Sequence, residues 1–159
     1  SMGGGSVVLI PEVQQGQDAI KGPQRLVILA EPGLAVIQTD GGGSQRLTPG
    51  PALDAIDSDG RALVASGRGV AGETVRISVP GRFDTAVRVG DDLRWSTSLA
   101  GVGEQGFTLR VNGQDFVYPA LNKPLEPTEN QRLEVAGSGW RITRRISDRA
   151  FLASWFPNP

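Results

Sequence analysis

The chain has 159 residues, 38% of them hydrophobic, which is enough to bury a core of its own. It contains no His and no Cys, so imidazole acid–base chemistry, thiolate chemistry, disulfides and the commonest metal ligands are excluded. Sixteen basic and seventeen acidic side chains leave a net charge of −1, which offers nucleic acid no overall positive field. We therefore expect no cofactor and no nucleic-acid partner.

Residues 1–23 are predicted to form an N-terminal tether. Ser1-Met2 and the three glycines that follow are typical of a cloning remnant, so we expect a longer, exported or membrane-anchored protein to have been shortened here. The apolar run Val7–Ile10 is much shorter than the roughly 20 residues that span a bilayer. Pro11–Lys21 shows a weak helical pattern that a glycine interrupts. No transmembrane segment is predicted in this sequence.

Residues 24–120 are predicted to form an antiparallel β-sandwich. Apolar runs recur about every 8–12 residues between turn residues, and no stretch follows the 3.6-residue period of a helix. Several runs alternate apolar and polar residues, as strands do when only one face is buried. The predicted strands are Leu26–Ala30, Leu34–Thr39, Leu53–Asp57, Ala62–Ser66, Thr74–Val79, Phe83–Val89, Leu93–Leu99, Phe107–Val111 and Gln114–Tyr118.

The dipeptide Asn112-Gly113 gives the strongest local signal in the chain. It separates two strand-like runs, and both of its residues tolerate the positive φ that a type I′ turn requires. The sequence therefore predicts a hairpin in which Phe107–Val111 pairs with Gln114–Tyr118.

Residues 121–159 are predicted to be a proline-containing linker followed by a three-stranded meander. Pro124 and Pro127 lie in the linker. The meander strands are Arg132–Ala136, Trp140–Arg144 and Ala150–Trp155. The pattern leaves open whether this meander joins the edge of the sandwich or forms a small appendage.

From about Leu53 to Val111 the chain resembles the bacterial immunoglobulin-like domains of envelope proteins, the kind often found with LysM modules. The matching residues are Ser66–Ile77, then Thr85–Val87, then Leu93–Ser96. Family members have a small-residue turn, a Val-x-Val/Ile strand, a second strand and an Asp-Gly-x-Trp turn. Here that turn reads Gly90-Asp91-Asp92-Leu93-Arg94-Trp95, without the usual Asp-Gly order. The resemblance implies an immunoglobulin-like sandwich in the periplasm or cell envelope, with roles in spacing, adhesion or assembly.

Two motifs that suggest ligand binding are interpreted as turns. Gly67–Gly72 matches the G-x-G-x-x-G pattern of dinucleotide binding, but the alternating strand Thr74–Val79 follows it where that mechanism needs a helix. Asp54, Asp57 and Asp59 have oxygens for Ca²⁺, as has the pair Asp91-Asp92, but their spacing is not that of an EF-hand. We therefore assign neither a cofactor nor a metal, while weak calcium binding stays open.

The C-terminal region concentrates aromatic and basic residues, which gives two interpretations. The aromatic side chains either pack the meander onto the sandwich or remain exposed as anchors for a partner. The arginines either form a solvated strand face or bind an anionic envelope polymer. The candidate partner-binding residues are Trp140, Arg141, Arg144, Arg145, Arg149, Trp155 and Phe156.

These observations predict a non-catalytic domain of the bacterial envelope that acts in spacing, scaffolding or protein binding. Serine nucleophiles have no His to activate them, and no pattern places two carboxylates across a cleft, so no catalytic residue is predicted. The alternative is an accessory module that binds peptidoglycan or exopolysaccharide. An envelope protein or an anionic glycan is the expected partner, and exposed strand edges also allow self-association.

Overall fold

The computed structural model describes residues 7–11 (as backbone), 24–30, 33–103, 105–121 and 124–159. Within these ranges the chain is all-β. Its strands are β1 (Val7–Pro11), β2 (Gln24–Leu29), β3 (Leu34–Thr39), β4 (Gln45–Arg46), β5 (Leu53–Ser58), β6 (Leu63–Arg68), β7 (Thr74–Val79), β8 (Phe83–Arg88), β9 (Arg94–Ser98), β10 (Phe107–Val111), β11 (Gln114–Tyr118), β12 (Gln131–Ala136), β13 (Gly139–Ser147) and β14 (Ala150–Pro157). Membrane-spanning helices, long and apolar enough to cross a bilayer, are absent from the described ranges.

The strands form three antiparallel sheets. The N-terminal sheet has the order β1-β2-β3-β4, and the outer sheet has the order β11-β10-β7-β8. The central sheet has six strands in the order β12-β13-β14-β5-β6-β9, so it combines the middle of the chain with its C-terminus. Every pairing between neighbouring strands is antiparallel.

The central sheet is covered on both faces. Successive side chains of a strand point to opposite faces, and in β5 Ile56 belongs to the cluster shared with the outer sheet while Ala55 belongs to the cluster shared with the N-terminal sheet. Trp155 and Phe156 of β14 divide between the two clusters in the same way. The molecule is therefore a stack of three layers with one apolar core on each side of the central sheet.

The predicted hairpin is confirmed. β10 pairs with β11 from Phe107–Tyr118 to Val111–Gln114, and the two turn residues have φ of 49° at Asn112 and 87° at Gly113. The alternating segments also form strands, and the run after Gly67–Gly72 is β7, as the turn interpretation of that motif requires.

Two strands were not predicted. β1 lies in the predicted tether, where an unbroken apolar run gave no alternation to recognise, and β4 has only two residues. With β2 and β3 they form a sheet apart from the strands that begin at β5. The weak helical pattern of Pro11–Lys21 lies almost wholly outside the described residues.

The C-terminal meander joins the main structure through a strand pairing. β14 pairs with β5, with Trp155 opposite Ile56 and Ala153 opposite Ser58. Of the two arrangements left open by the sequence, the structure shows the one in which the meander extends a sheet of the sandwich.

We predict that Trp155→Ala lowers the free energy of unfolding by about 3–5 kcal/mol. Trp155 is 1% exposed, meets the ring of Tyr118 edge-on at 5.8 Å and donates from Nε1 to the Ala136 carbonyl at 2.9 Å. The substitution therefore leaves a cavity and an unpaired carbonyl. Urea unfolding, followed by circular dichroism, measures the loss.

Trp140→Ala is the matched control, because Trp140 lies on the neighbouring strand and is only partly buried. Its cost should be clearly smaller. Trp155→Phe keeps most of the apolar area and should cost about 1–3 kcal/mol through the lost hydrogen bond. An unchanged unfolding midpoint for Trp155→Ala would show that β14 does not pack as described.

Candidate functional site

The C-terminal aromatic residues lie mainly inside the molecule. Phe156 is fully buried in the core under the N-terminal sheet, and Trp155 is buried in the core under the outer sheet. Trp140 is partly buried against the same cluster as Phe156. A partner therefore cannot reach Trp155 or Phe156 in this arrangement, and only Trp140 has a part of its ring at the surface.

Three C-terminal arginines bind the linker that precedes the meander. Arg141 donates from Nη1 to the Ala120 carbonyl at 3.2 Å and from Nη2 to the Pro119 carbonyl at 2.5 Å. Arg145 donates to the carbonyls of Glu129 at 3.2 Å and Glu126 at 2.9 Å.

Arg132 completes this set with an ion pair to Glu129 and a 3.2 Å bond to the Pro124 carbonyl. The guanidinium groups thus hold the described parts of the linker, residues 119–121 and 124–129, against one face of β12 and β13. We call Arg132, Arg141 and Arg145 the linker clamp.

The other two arginines of the predicted site point elsewhere. Arg144 is buried and forms an ion pair with Asp40, which follows β3, so it joins the meander to the N-terminal sheet. Arg149 lies exposed in the turn between β13 and β14. The seven predicted partner-binding residues therefore do not form one surface, since most of them fix parts of the fold to each other.

The structure brings together a second set of polar residues, of which the sequence singled out only Asp57, as a possible calcium ligand. Asp57 of β5 is 2% exposed and lies under the loop that follows β3. Its Oδ1 accepts hydrogen bonds from the hydroxyls of Ser44, at 2.6 Å, and Ser154, and its Oδ2 accepts one from the Ser44 backbone N–H at 3.0 Å. Gln38 donates to Ser154 Oγ at 3.0 Å. We call these four residues the serine–aspartate network.

Burial raises the pKa of Asp57, while the hydrogen bonds from Ser154, Ser44 and the Gly43 backbone act in the opposite direction. The network joins β3, the following loop, β5 and β14, so it spans the seam between two sheets. Its four residues are at most 2% exposed, and their hydrogen bonds hold the two layers in register.

Asp54, three residues earlier in β5, binds the arginines of a cross-strand pair. Its Oδ1 accepts from Arg68 Nε at 3.0 Å and its Oδ2 from Arg94 Nη1 at 2.9 Å, and its own side chain is fully buried. Arg68 and Arg94 lie opposite each other on β6 and β9. Arg46 lies close by, where burial lowers its pKa and Asp54 raises it. Asp54 thus neutralises part of a cluster of three guanidinium groups.

A cleft of about 290 Å³ opens beside this cluster, at the same seam. Arg94, Ser66 and Ser96 line it from β6 and β9, and Gln24 and Thr39 line it from the N-terminal sheet. It is a polar opening between secondary-structure layers, which is a common place for ligand sites. The alternation of β9 places Arg94 and Ser96 on one face of their strand, but only the tertiary structure brings β2 and β3 to them.

The three aspartates weighed as possible calcium ligands have other partners. Asp54 is paired with arginines, Asp57 with serines, and Asp59 accepts the backbone N–H groups of Arg61 and Ala62 at 2.8 and 3.0 Å in a turn. Within the described ranges, no three Asp or Glu side chains are grouped as metal ligands.

Comparisons with protein-family models, with curated proteins and with solved structures found no family, no relative and no structural neighbour that matches this chain. The function is therefore inferred from the residues and their geometry.

We predict that Arg145→Gln exposes the linker to proteolysis. Arg145 binds the carbonyl of the Glu129–Asn130 bond, where a glutamate-specific protease cleaves. Losing hydrogen bonds to a charged group costs about 1.5–3 kcal/mol, which corresponds to at least about tenfold faster cleavage when local opening limits the rate. The rate of cleavage at Glu129 under native conditions measures the effect.

Arg149→Gln is the control for this experiment, because it makes the same change in the turn at the end of β13. It should leave the rate of cleavage unchanged. Equal rates for Arg145→Gln and the unmodified protein would show that the linker clamp does not hold this segment.

We also predict a specific pH dependence from Asp57. The folded-state pKa lies above the ordinary value of 3.8, so the folded state binds the proton more tightly than the unfolded state does. The contribution of protonated Asp57 to the free energy of unfolding is fully present below about pH 3.8, and it is lost as the pH rises through the raised pKa of Asp57. Relative to Asp57→Asn, which cannot titrate, the unmodified protein should therefore lose stability as the pH rises.

Urea unfolding of both proteins at intervals from about pH 4 to about pH 8 measures this difference, and other titrating groups cancel in the comparison. Asp115→Asn is the control, because Asp115 is an exposed carboxylate paired with Arg110. A difference between the Asp57 proteins that grows in the opposite direction would mean that hydrogen bonding outweighs burial at Asp57.

Proposed function

We propose that the chain is a non-catalytic domain of the bacterial cell envelope that acts as a spacer or scaffold and binds a protein partner. The observation that carries this proposal is that the buried charged groups bind other parts of the fold. Asp54, Asp57 and Arg144 join the N-terminal sheet to the central sheet, Asp54 by accepting the Arg46 N–H at 3.2 Å, and the linker clamp fixes the connection between the outer and central sheets. Charges placed in this way make a rigid body, which suits a protein that presents surfaces and keeps distances.

We further propose that Leu53–Tyr118 is an immunoglobulin-like sandwich. The strand order supports this: β5-β6-β9 share one core with β8-β7-β10-β11. Three connections cross between the two sheets, from β6 to β7, from β8 to β9 and from β9 to β10. Such crossing connections between two facing antiparallel sheets are typical of the immunoglobulin architecture.

The turn before β9 gives independent support for the family resemblance. In the Asp-Gly-x-Trp turn the second position is glycine, and in Asp92-Leu93-Arg94-Trp95 that position holds Leu93. Leu93 has φ of 68°, the left-handed conformation that glycine adopts most readily. The backbone of the turn is therefore kept although its usual residue is missing.

The outer margin of the central sheet at β12 is the proposed partner surface. β12 is an edge strand, and its Val135 is 66% exposed. Edge strands carry backbone donors and acceptors that can pair with a strand from another molecule. The proposed partner is a protein with an extended segment that pairs antiparallel with β12, and a second copy of this chain would serve in the same way.

Glycan binding through exposed tryptophans has less support as a function. A stacking platform needs an open ring face, whereas Trp95 and Trp155 are 3% and 1% exposed. Trp140 alone among the three tryptophans keeps part of its ring at the surface.

Photo-crosslinking in cells tests the proposed function. A photoreactive benzoylphenylalanine replaces Val135 in the full-length gene product, and an otherwise identical protein carries it at Val70. Val70 is 60% exposed in a turn outside the central sheet, so it is the matched control. We expect a discrete crosslinked species in the envelope fraction from position 135 and none from position 70.

Two results would contradict the proposal. Recovery of the full-length protein in the cytoplasmic fraction would remove the envelope location. Identical crosslinking from the two positions, or none from either, would remove β12 as a partner surface.

A further inference from the structure

The cleft between the N-terminal sheet and the edge of the central sheet has a lining of unusual chemistry. It contains one guanidinium, one carboxylate and four neutral groups that form hydrogen bonds. These are Arg94, Asp92, Gln24, Thr39, Ser66 and Ser96. Its volume of about 290 Å³ is at the lower end of the range for small-molecule sites. A ligand of this cleft is therefore small and polar.

Arg94 is held in place and still has donors to offer. Asp54 fixes Nη1 at 2.9 Å, and the Ser44 carbonyl accepts from Nη2 at 3.4 Å. A guanidinium has five N–H donors, so these two bonds leave three. The side chain is 21% exposed, and Arg68 lies beside it on the same Asp54 carboxylate. Arg46, Arg68 and Arg94 outnumber Asp54 and Asp92 by one charge, and this excess attracts a carboxylate, which a guanidinium binds in a planar, two-bond geometry.

The neutral groups suit a ligand with several hydroxyls. Thr39 Oγ1 accepts a bond of 3.3 Å from Gln24 Nε2, so its own hydrogen can be donated. Ser96 is exposed on the same face of β9 as Arg94, so its hydroxyl can donate or accept. Hydroxyl groups therefore line both walls of the cleft, Thr39 from the N-terminal sheet and Ser96 from β9.

Asp92 limits the kind of anion that fits. Its Oδ1 accepts the Arg94 backbone N–H at 3.1 Å, which holds the carboxylate at the rim of the cleft. A second negative charge at this point repels a multiply charged phosphate, but it accepts hydrogen bonds from hydroxyl groups. A ligand with a single carboxylate and several hydroxyls satisfies both groups.

The backbone between these two charged residues is strained. Leu93 lies between Asp92 and Arg94 in the left-handed region, with φ of 68°, although its side chain is 52% exposed and contributes little packing. Strained conformations of this kind are concentrated at functional sites, where they fix the direction of neighbouring side chains.

We propose that this cleft binds a small acidic sugar, a hexuronic acid or the terminal uronic acid of a glycan. Arg94 binds the carboxylate, Asp92 accepts from ring hydroxyls, and Thr39 and Ser96 bind the rest of the sugar. The proposal does not depend on the partner surface at β12. A failure here leaves the spacer or scaffold function intact, and a failure of β12 crosslinking leaves this site intact.

Tryptophan fluorescence is the readout, because Trp95 lines the cleft and donates from Nε1 to the Arg68 carbonyl at 3.2 Å. Three ligands are titrated separately. Glucuronate has a carboxylate and hydroxyls, glucose has only hydroxyls, and acetate has only a carboxylate. We expect a saturable response to glucuronate, and at least tenfold weaker binding of the other two. Methyl glucuronide keeps the carboxylate but is blocked at the anomeric carbon. It binds if the site takes the end of a glycan chain, and it fails to bind if the site takes only the free monosaccharide. Isothermal titration calorimetry confirms each affinity.

The variants separate the carboxylate contact from the hydroxyl contacts. Arg94→Gln should lower the affinity for glucuronate to that for glucose, and Ser96→Ala should weaken both sugars severalfold. Because Arg94 also binds Asp54, Arg94→Gln can fail to fold, and Arg94→Lys then replaces it in the titrations. Ser96→Ala leaves the contacts of Asp54 intact. Arg110→Gln is the control: it removes an exposed arginine paired with Asp115 on the outer sheet and should change nothing.

Equal responses to glucuronate and acetate would reduce the effect to unspecific anion binding and overturn the proposal. Unchanged glucuronate binding in both Ser96→Ala and Arg94→Lys would also overturn the proposal. So would the absence of a response to glucuronate up to about 10 mM, a dissociation constant that corresponds to a binding free energy of about 3 kcal/mol.

Discussion

The structure depends on two carboxylates buried in a single strand. All six residues of β5 are buried, and two of them, Asp54 and Asp57, are acidic. A buried carboxylate is tolerated only where it is paired and hydrogen-bonded, so each of these residues determines what must lie next to it. Asp54 requires the guanidinium groups of β6 and β9, and Asp57 requires the hydroxyls of Ser44 and Ser154.

The two seams of the molecule are consequently built in different ways. The outer sheet packs on the central sheet through a large apolar core with rings such as Phe107 and Tyr118 at 4.8 Å. The N-terminal sheet packs through a smaller apolar cluster and the serine–aspartate network. Apolar contact is not directional, whereas a hydrogen-bonded network allows only one arrangement. The polar seam therefore fixes the orientation of the N-terminal sheet, while the apolar seam supplies most of the stability.

The local features of the fold could be predicted from the sequence, because they depend on neighbouring residues. The Asn112-Gly113 turn needs positive φ at two adjacent positions, and the alternation of β7 needs one wet and one buried face. The sheet to which each strand belongs could not be predicted, because it depends on contacts between distant residues. The pairing of β14 with β5, about a hundred positions earlier in the chain, is the clearest case.

The C-terminal arginines show the same limit. A cluster of basic residues in the sequence is compatible with a partner surface, and only the tertiary structure shows that the linker carbonyls and Asp40 occupy them. One signal for the aromatic residues was present. Phe151–Phe156 is almost continuously apolar, which is typical of a strand buried on both faces, as β14 is. That pattern places Trp155 and Phe156 in two cores instead of on a surface.

The position of the cleft follows from the way the sheets overlap. The N-terminal sheet covers β5, β13 and β14 but leaves the end of β9 open, so the polar face of that strand meets solvent beside the seam. In the loop after β3, Gly43 lines the cleft, and its neighbour Ser44 binds Asp57 in the serine–aspartate network. The same constraint that orients the N-terminal sheet thus holds one wall of the cleft rigid. A wall of this kind keeps its donors and acceptors in place before a ligand arrives, which lowers the entropy lost on binding.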